Sequence, residues 1–479
     1  MAFAYCCIDQ TIQDTNIQLR QSSSRTLDWR SFLRTVFLPA GFPATVSPDY
    51  IPSQIYNGMQ AFCSSLATLI ASRACMAYCP LFCRLIVLVG HGIGNAEASA
   101  THAVLLTVLQ DAFSRLTTIL GAYYLGTLLY PEAKSYRLVA DITNDIAIVL
   151  DLLSPQLSSF SLSTYPPFIS KTPGTSLRMA ALCMSGAFRA LCGVAAGGAK
   201  AAITLHFAQD GAVPGDVGDL SAKDASKETV LALAGMLCGS MLMPYLHTSK
   251  RTYTVVAILL ILHVWINYVA VRVVVMKTLN RQRATILWAA YSASQASGAK
   301  SPRVLTPAEV ASQEYLFGRN SSLLQYESGQ QRIIGSATIG APLAHILSSS
   351  SDDHLGTIRR LLEIFADKPF IIGLDTRRPL STNSSSLPHI VVVLKDGHDQ
   401  TCHLEAWITA NVLASRISAG VTSDSVLACI EDCKRHVDGV YKTYLADIRR
   451  AGWDVDSTGI LTGASRTIKI QGFDDRKNR

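Results

Sequence analysis

The sequence predicts a mainly α protein, a multi-helix membrane-embedded bundle followed by a small α+β C-terminal domain. Of 479 residues, 49% are hydrophobic and only 16% charged, and mean hydropathy is positive, an apolar excess over ordinary soluble chains. That material is concentrated, since residues 229–248, TVLALAGMLCGSMLMPYLHT, carry no formal charge over a length that crosses a bilayer. Past residue 284 the apolar runs give way to Ser-rich stretches and strand-like segments.

Residues 1–37 read as a poorly ordered N-terminal segment. No apolar run follows a basic start there, and Asp9, Asp14 and Asp28 argue against a transit peptide. Residues 38–290 read as the helical membrane domain. Within it, LFCRLIVLVG (81–90) is too short to cross and suits an interfacial or re-entrant position, whereas 98–130 is long enough. YRLVADITNDIAIVLDLLSP (136–155) repeats apolar residues at three- and four-residue steps until Ser154-Pro155 stops the helix. Asp141, Asn144 and Asp145 fall within about 100° of one another there, and Ile148 and Leu152 share their face, so carboxylates lie on a face that also reads as buried.

The next helix, 177–208, is rich in small residues and carries Gly193-x-x-x-Gly197; the uncharged span repeats the spacing at Gly235-x-x-x-Gly239. Such spacings let helix backbones approach closely in a bilayer, so these four glycines are assigned to helix packing. DLSAKDASKET (219–229) precedes the uncharged span, with Ser221 or Ser226 as the expected N-cap. After SKRT, residues 253–276 supply a second span broken by His263, Asn267 and Arg272, and the two spans predict a hairpin. Lys223, Lys227, Lys277, Arg281 and Arg283 flank the hairpin on one side, against Lys250 and Arg251 on the other, which places the C-terminal domain in the cytosol. Residues 291–354 read as a Ser-rich linker and 355–479 as the α+β domain. In the latter PFIIGL (369–374) and HIVVVLK (389–395) are strands, and HLEAWITANVLASRI and SVLACIEDCKRHVDGVYKTYLADIRRAG are amphipathic helices.

The charges inside the bundle carry the functional question. Arg178, Arg189 and Lys200 recur every eleven residues, a spacing that drifts only about 20° per step and draws one basic line down a helix of small residues. One helix carries acids and another carries bases, and charge inside a membrane faces a bundle interior or wet cavity and finds a partner. Either Asp141 or Asp145 pairs with Arg189 or Lys200 to hold the bundle together, or these residues, with Asn144, Asn267 and Arg272, form a solute or coupling site. The twelve cysteines mostly lie within apolar runs as small hydrophobes. Cys75, Cys79 and Cys83 follow one helical stripe without a CxxC pair, and His398 and His403 have no partner cluster, so no metal is expected. GVAAGGAK (193–200) only imitates a phosphate loop, because Ala199 and Ala201 stand where Gly and Ser/Thr are needed. With no GxSxG, HExxH or dinucleotide fingerprint, neither an enzyme nor a bound cofactor is expected.

LPAGFPATVSPDYIPSQIYNGMQAFCSSL (38–66), YRLVADITNDIAIVLDLLSP (136–155), GGAKAAITLHFA (197–208), DLSAKDASKETVLALAG (219–235) and NYVAVRVVVMKTLNRQR (267–283) occur in that order, and GWDVDS (452–457) follows. Together they resemble the root UVB sensitive family, also described as a vitamin B6 photoprotection and homeostasis domain. The sequence departs from that pattern at Ser53 and Gly58, where larger or more acidic residues are expected, and in the extended connection 158–177. The resemblance implies a eukaryotic, multi-pass protein of an intracellular membrane, with a UV-B response and pyridoxal-phosphate homeostasis among the family's roles and no settled catalytic residues. Its expected partners are membrane lipids and homo- or hetero-oligomers of family members, with no nucleic acid. The function implied is handling or transport of a small anionic solute linked to vitamin B6, the alternative being a non-catalytic membrane scaffold that stabilises or traffics partner proteins.

Overall fold

The computed structural model describes residues 29–77, 100–157, 173–298, 302–318, 320–327, 330–346, 354–375, 377, 387–420, 426–463 and 466–469, together with a two-residue pairing of β1 (Gln13–Asp14) and β2 (Ile17–Gln18). The segment 81–90, Cys79 and Cys83 lie outside these residues, as does the Cys75 side chain. The described fold is mainly helical, with some sheet.

After a short helix α1 (Trp29–Phe37), six long helices follow: α2 (Tyr50–Ala77), α3 (Ala100–Leu125), α4 (Ala133–Leu157), α5 (Pro173–Gln209), α6 (Val217–Leu242) and α7 (Ser249–Val273). They alternate in direction. Helix α5 packs on α3 and α4, while α2 packs on α6 and α7. Asp216 starts α6 by accepting from the backbone N–H groups of Gly218 at 2.7 Å and Asp219 at 3.3 Å, so the stretch beginning at Asp219 lies inside the helix and neither Ser221 nor Ser226 caps it. Leu177–Gln209, Val217–Tyr245 and Ser249–Val273 are long and apolar enough to cross a membrane. The last two are joined by a 3₁₀ turn at Met243–Tyr245, with Lys250 and Arg251 drawn into the first turn of α7, but each packs on α2 rather than on the other as a closed hairpin would. Large apolar side chains along α3 (Leu109, Phe113, Leu116, Leu120), α6 (Leu233, Leu237) and α7 (Ile258, Ile261, Trp265) point outward.

Strand β3 (Thr278–Asn280) follows α7 and pairs in parallel with β8 (Asp454–Gly459). Helix α8 (Arg281–Ala296) is almost wholly buried, and residues Leu279 to Tyr291 belong to the core of the C-terminal unit. The unit therefore begins near residue 278. The stretch 291–354, expected to be a linker, contains α9 (Pro307–Gln313), β4 (Ser322–Glu327) and β5 (Gln330–Ile339). Hairpin β4–β5 opens a sheet of order β4-β5-β7-β6, where β6 is Phe370–Leu374 and β7 His389–Lys395; β9 (Thr467–Ile468) also pairs with β7. Helices α10 (His354–Ile364), α11 (Gln400–Ser418) and α12 (Val426–Arg450) complete the unit. Helix α11 packs on the sheet and on α8, and its fully buried Trp407 donates to Thr285 Oγ1 at 2.8 Å.

Candidate functional site

Five helices converge on a cavity of about 30 Å³ at the end of the bundle nearest the C-terminal unit, room for roughly one water. Its wall takes Ser53 and Asn57 from α2, Arg137 from α4, Lys200 and Thr204 from α5, Asp224 and Glu228 from α6, and apolar Val271 of α7 with Val274 just beyond it. Lys200 Nζ donates to both oxygens of Glu228, at 2.9 and 2.8 Å. Asp224 is buried and accepts from Tyr50 Oη at 2.9 Å, Gln54 Nε2 at 3.0 Å and, in an ion pair, Lys227 Nζ at 2.9 Å. The wall is thus built largely from opposite charges in mutual contact, Lys200 with Glu228 and Lys227 with Asp224.

Arg137 links this wall to a deeper network. Its Nη2 donates to Gln60 Oε1 at 3.3 Å and its Nε lies 3.7 Å from Asp141 Oδ2, a contact of charges rather than a hydrogen bond. Gln60 Nε2 reaches both Asp141 Oδ1, at 3.3 Å, and His263 Nε2, at 3.1 Å. His263 Nδ1 meets Asp145 Oδ2 at 2.9 Å, and Asn267 Nδ2 donates to the His263 carbonyl at 3.0 Å. All of Asp141, Asp145, His263 and Asn267 are buried. Asp141 Oδ2, Asp145 Oδ1 and Asn267 Oδ1 accept no hydrogen bond.

The residues expected to meet are therefore divided among several sites. Asp141 and Asp145 pair with Arg137 and His263, not with Arg189 or Lys200, because the line of cations on α5 meets α4 nearly two turns beyond Asp145, at Asp151, and meets α6 on its other side. There Arg189 pairs with Asp151 and Lys200 with Glu228. Asn144 lies 3.5 Å from Ser64 Oγ. Arg272 leaves the bundle for the C-terminal unit and donates to the carbonyls of Glu314, at 2.7 Å, and Ser312, at 3.2 Å. A Cβ on Gly235 would stand 2.5 Å from the Phe62 carbonyl oxygen and one on Gly239 2.9 Å from Leu69, whereas Gly193 and Gly197 have nothing within 4 Å. The close-packed glycine of α5 is Gly198, where a Cβ would stand 2.4 Å from Leu129. Both departures from the family pattern fall where space is short: Ser53 lines the cavity, and a Cβ on Gly58 would meet Leu231 at 2.4 Å. The sequence does not single out Arg137 and Gln60, and it points to Asp224 and Glu228 only as capping and pairing residues at a helix start, whereas they line the cavity. Their signal is a polar side chain on a helix whose orientation toward its neighbours a single sequence does not give, although His263 and Asn267 stand out as polar breaks in an apolar span.

The cavity end is fastened to the C-terminal unit by buried charge. Glu314 pairs with Lys134 at 2.9 Å and Arg283 at 2.8 Å, all three buried. Asn280 Nδ2 donates to Glu132 Oε2 at 3.3 Å and to the Pro131 carbonyl at 3.2 Å. Burial works to raise the Glu314 carboxyl, but Arg283 and then Lys134 overcome it and hold it down to about 2. Glu132 has no comparable pair, and burial pushes it up to about 7 against the opposing pull of Arg283. His398 and His403 of the α11 approach contact each other, at 2.9 Å, and no group of three metal-ligating side chains occurs among the described residues.

The family described as vitamin B6 photo-protection and homoeostasis domain matches residues 23–295, more than half of the chain. This chain belongs to that family. The root UVB sensitive match ends one residue before the end of α8, so the family region includes β3 and the helix that enters the C-terminal core. The chain is 28% identical over 307 residues to "RUS family member 1" of Dictyostelium discoideum, covering 64% of this chain and 51% of that protein. To "Protein root UVB sensitive 3" of Arabidopsis thaliana it is 31% identical over 303 residues, or 63% of this chain and 59% of that protein. The chain thus spans between half and three fifths of these two relatives. "Protein root UVB sensitive 2, chloroplastic" of the same plant is 23% identical over 430 residues, 89% of this chain and 82% of that protein. No solved structure matches.

Proposed function

We propose that this chain is a multi-pass protein of an intracellular membrane that binds a small phosphate-bearing anion of the vitamin B6 class in the bundle cavity and passes it on without covalent chemistry. One observation carries the reading: Arg137 and Lys200 turn inward onto a shared cavity, while Leu237, Ile261 and Trp265 turn outward from helices of membrane-crossing length. Apolar side chains outside and paired charges inside is the arrangement hydrocarbon selects. The solute class follows from the family's description together with the donor set, since a phosphate offers each cation a better acceptor than the carboxylate it now holds. The cavity as it stands admits a water, so binding opens it.

The test is uptake of labelled pyridoxal 5′-phosphate by liposomes that contain only this protein. Lys200→Gln removes a cation whose partner Glu228 is a third exposed and keeps access to water, so the variant stays folded. Its uptake is expected to fall ~10- to 100-fold, the loss of one charge-assisted contact. Wild-type uptake no greater than that of protein-free liposomes sinks the reading. The scaffold alternative draws on one further observation, the outward apolar stripe of α3 ending at the exposed Tyr123 and Tyr124, which suits a partner membrane helix as well as lipid. Full rescue of a cell lacking this protein by Lys200→Gln would favour it.

A further inference from the structure

We infer that His263 is the seat of a proton that accompanies the anion, and that Gln60 couples the two. The inference rests on the anion reading above and specifies its coupling ion.

A glutamine amide has two N–H donors and one oxygen acceptor. At Gln60 the nitrogen serves His263 Nε2 and Asp141 Oδ1, and the oxygen receives Arg137. An amide N–H directed at His263 Nε2 requires that nitrogen to be the bare acceptor, which puts the ring hydrogen on Nδ1, facing Asp145 Oδ2 at 2.9 Å. The ring is therefore neutral in this arrangement. Around it stand the carboxylates of Asp141 and Asp145 and the cation of Arg137 from α4, while α2 contributes Gln60 and Ser64 without charge. Glu228 of α6 is a further charge whose field reaches Asp141, and on α5 Cys192 stands within the fields of Asp141, Asp145 and Arg189. Among these side chains two acids face one cation: Asp145 Oδ1 accepts no hydrogen bond, and Asp141 Oδ2 has only the 3.7 Å contact with Arg137. An anion entering the cavity is opposed by whatever negative charge these acids carry.

One proton changes both terms. Protonated at Nε2, His263 becomes a donor from both ring nitrogens, adds a positive charge beside the acids and no longer accepts from Gln60. The Gln60 amide must turn over so that its oxygen receives Nε2–H, and that oxygen is withdrawn from Arg137. Arg137 then keeps only its 3.7 Å contact with Asp141, and its guanidinium is released toward the cavity that it lines. Proton and anion thus favour each other, and linkage makes the effect reciprocal.

The experiment uses the full chain in lipid nanodiscs with two probes, pyridoxal 5′-phosphate and inorganic sulfate, the latter because it does not itself titrate near neutrality. Binding affinity is measured as a function of pH, proton uptake is read from an indicator dye in weak buffer, and His263 is followed by ¹⁵N-histidine NMR. Wild type is expected to take up one proton per sulfate bound, to bind ~10-fold tighter per pH unit of acidification over the linked range, and to show His263 passing from the Nδ1–H neutral form to imidazolium on binding. Gln60→Met, which keeps the length of the side chain and removes the amide, should lose the part of the pH dependence that passes through Arg137 and keep only the weaker part owed to the ring's charge. Should wild type bind either probe without proton uptake, with His263 unchanged, or should Gln60→Met keep the full pH dependence, the proton relay is overturned while the anion site stands. If neither probe binds wild type at any pH, both readings fall together.

Discussion

At position 314 a buried carboxylate lies between two buried cations, and its neighbour Glu132 is buried without such a pair. The two acids respond to pH in opposite senses. Glu314 is held down to about 2, below the usual 4.5, so its contribution is fully present above the usual value and is lost as pH falls from there toward 2. Glu314→Gln strands Lys134 and Arg283, and the melting temperature at neutral pH should drop by the equivalent of about 3–5 kcal/mol. Glu132 is raised to about 7, so the folded state holds a proton that the unfolded state releases, and stability falls as pH rises from about 4.5 through 7. Glu132→Gln should match wild type at pH 5 and exceed it at pH 8, by on the order of 3 kcal/mol if the whole shift is recovered. Thermal unfolding of both variants at both pH values checks the pair; a Glu132→Gln protein less stable than wild type at pH 8 contradicts the assignment. At this scale the sequence shows which side chains are out of place in an apolar helix, as with Asp141 and Asp145, but the partner comes from another helix. Asp145 finds a histidine, whose charge a sequence does not fix, and Asp141 finds Arg137 one turn back on its own helix.

Between elements, the same Gly-x-x-x-Gly spacing has opposite consequences. At Gly235 an added side chain meets the backbone of α2 at Phe62, which cannot swing aside, whereas at Gly193 it meets nothing. Gly235→Leu is expected to force α2 and α6 apart and destabilise by about 1–3 kcal/mol or more, and Gly193→Leu to change stability little. Comparing the two variants by yield and melting temperature separates them, and equal behaviour would show that the α2–α6 contact is not the constraint. Spacing revealed that close approach was available; only packing decided which pair uses it. The C-terminal strands 370–374 and 389–395 were legible because β-branched runs end in turn residues. Hairpin β4–β5 was not, because its strands, SLLQYE and QQRIIGSATI, alternate weakly and sit among serines that suggest a linker.

For the whole molecule, the connections 38–49, 126–132, 210–216 and 274–280 gather at one end of the bundle and are tied to one another. Ser47 N donates to the Phe207 carbonyl at 3.1 Å, Val213 N to Ala44 at 3.0 Å, and Val275 N to Asp49 Oδ2 at 2.7 Å. The C-terminal unit rests on this end through the β3–β8 pairing and through Gly459, where a Cβ would stand 2.5 Å from Pro131. The turn at Met243–Tyr245 and the exposed His247 lie at the other end. If the bundle crosses a membrane, the C-terminal unit and His247 must face opposite sides, and the basic residues around the C-terminal junction put that unit in the cytosol. The chain should then resist extraction by alkaline carbonate. A cysteine placed at His247 should react with a membrane-impermeant maleimide only after cytosol-side-out vesicles are permeabilised, whereas one placed at the exposed Ser418 should react in sealed vesicles, each measured above the labelling of the native cysteines. Release by carbonate would remove the membrane from the proposal, and equal labelling of the two positions in sealed vesicles would place both ends of the bundle in the same compartment, which an α6–α7 pair spanning a bilayer does not allow.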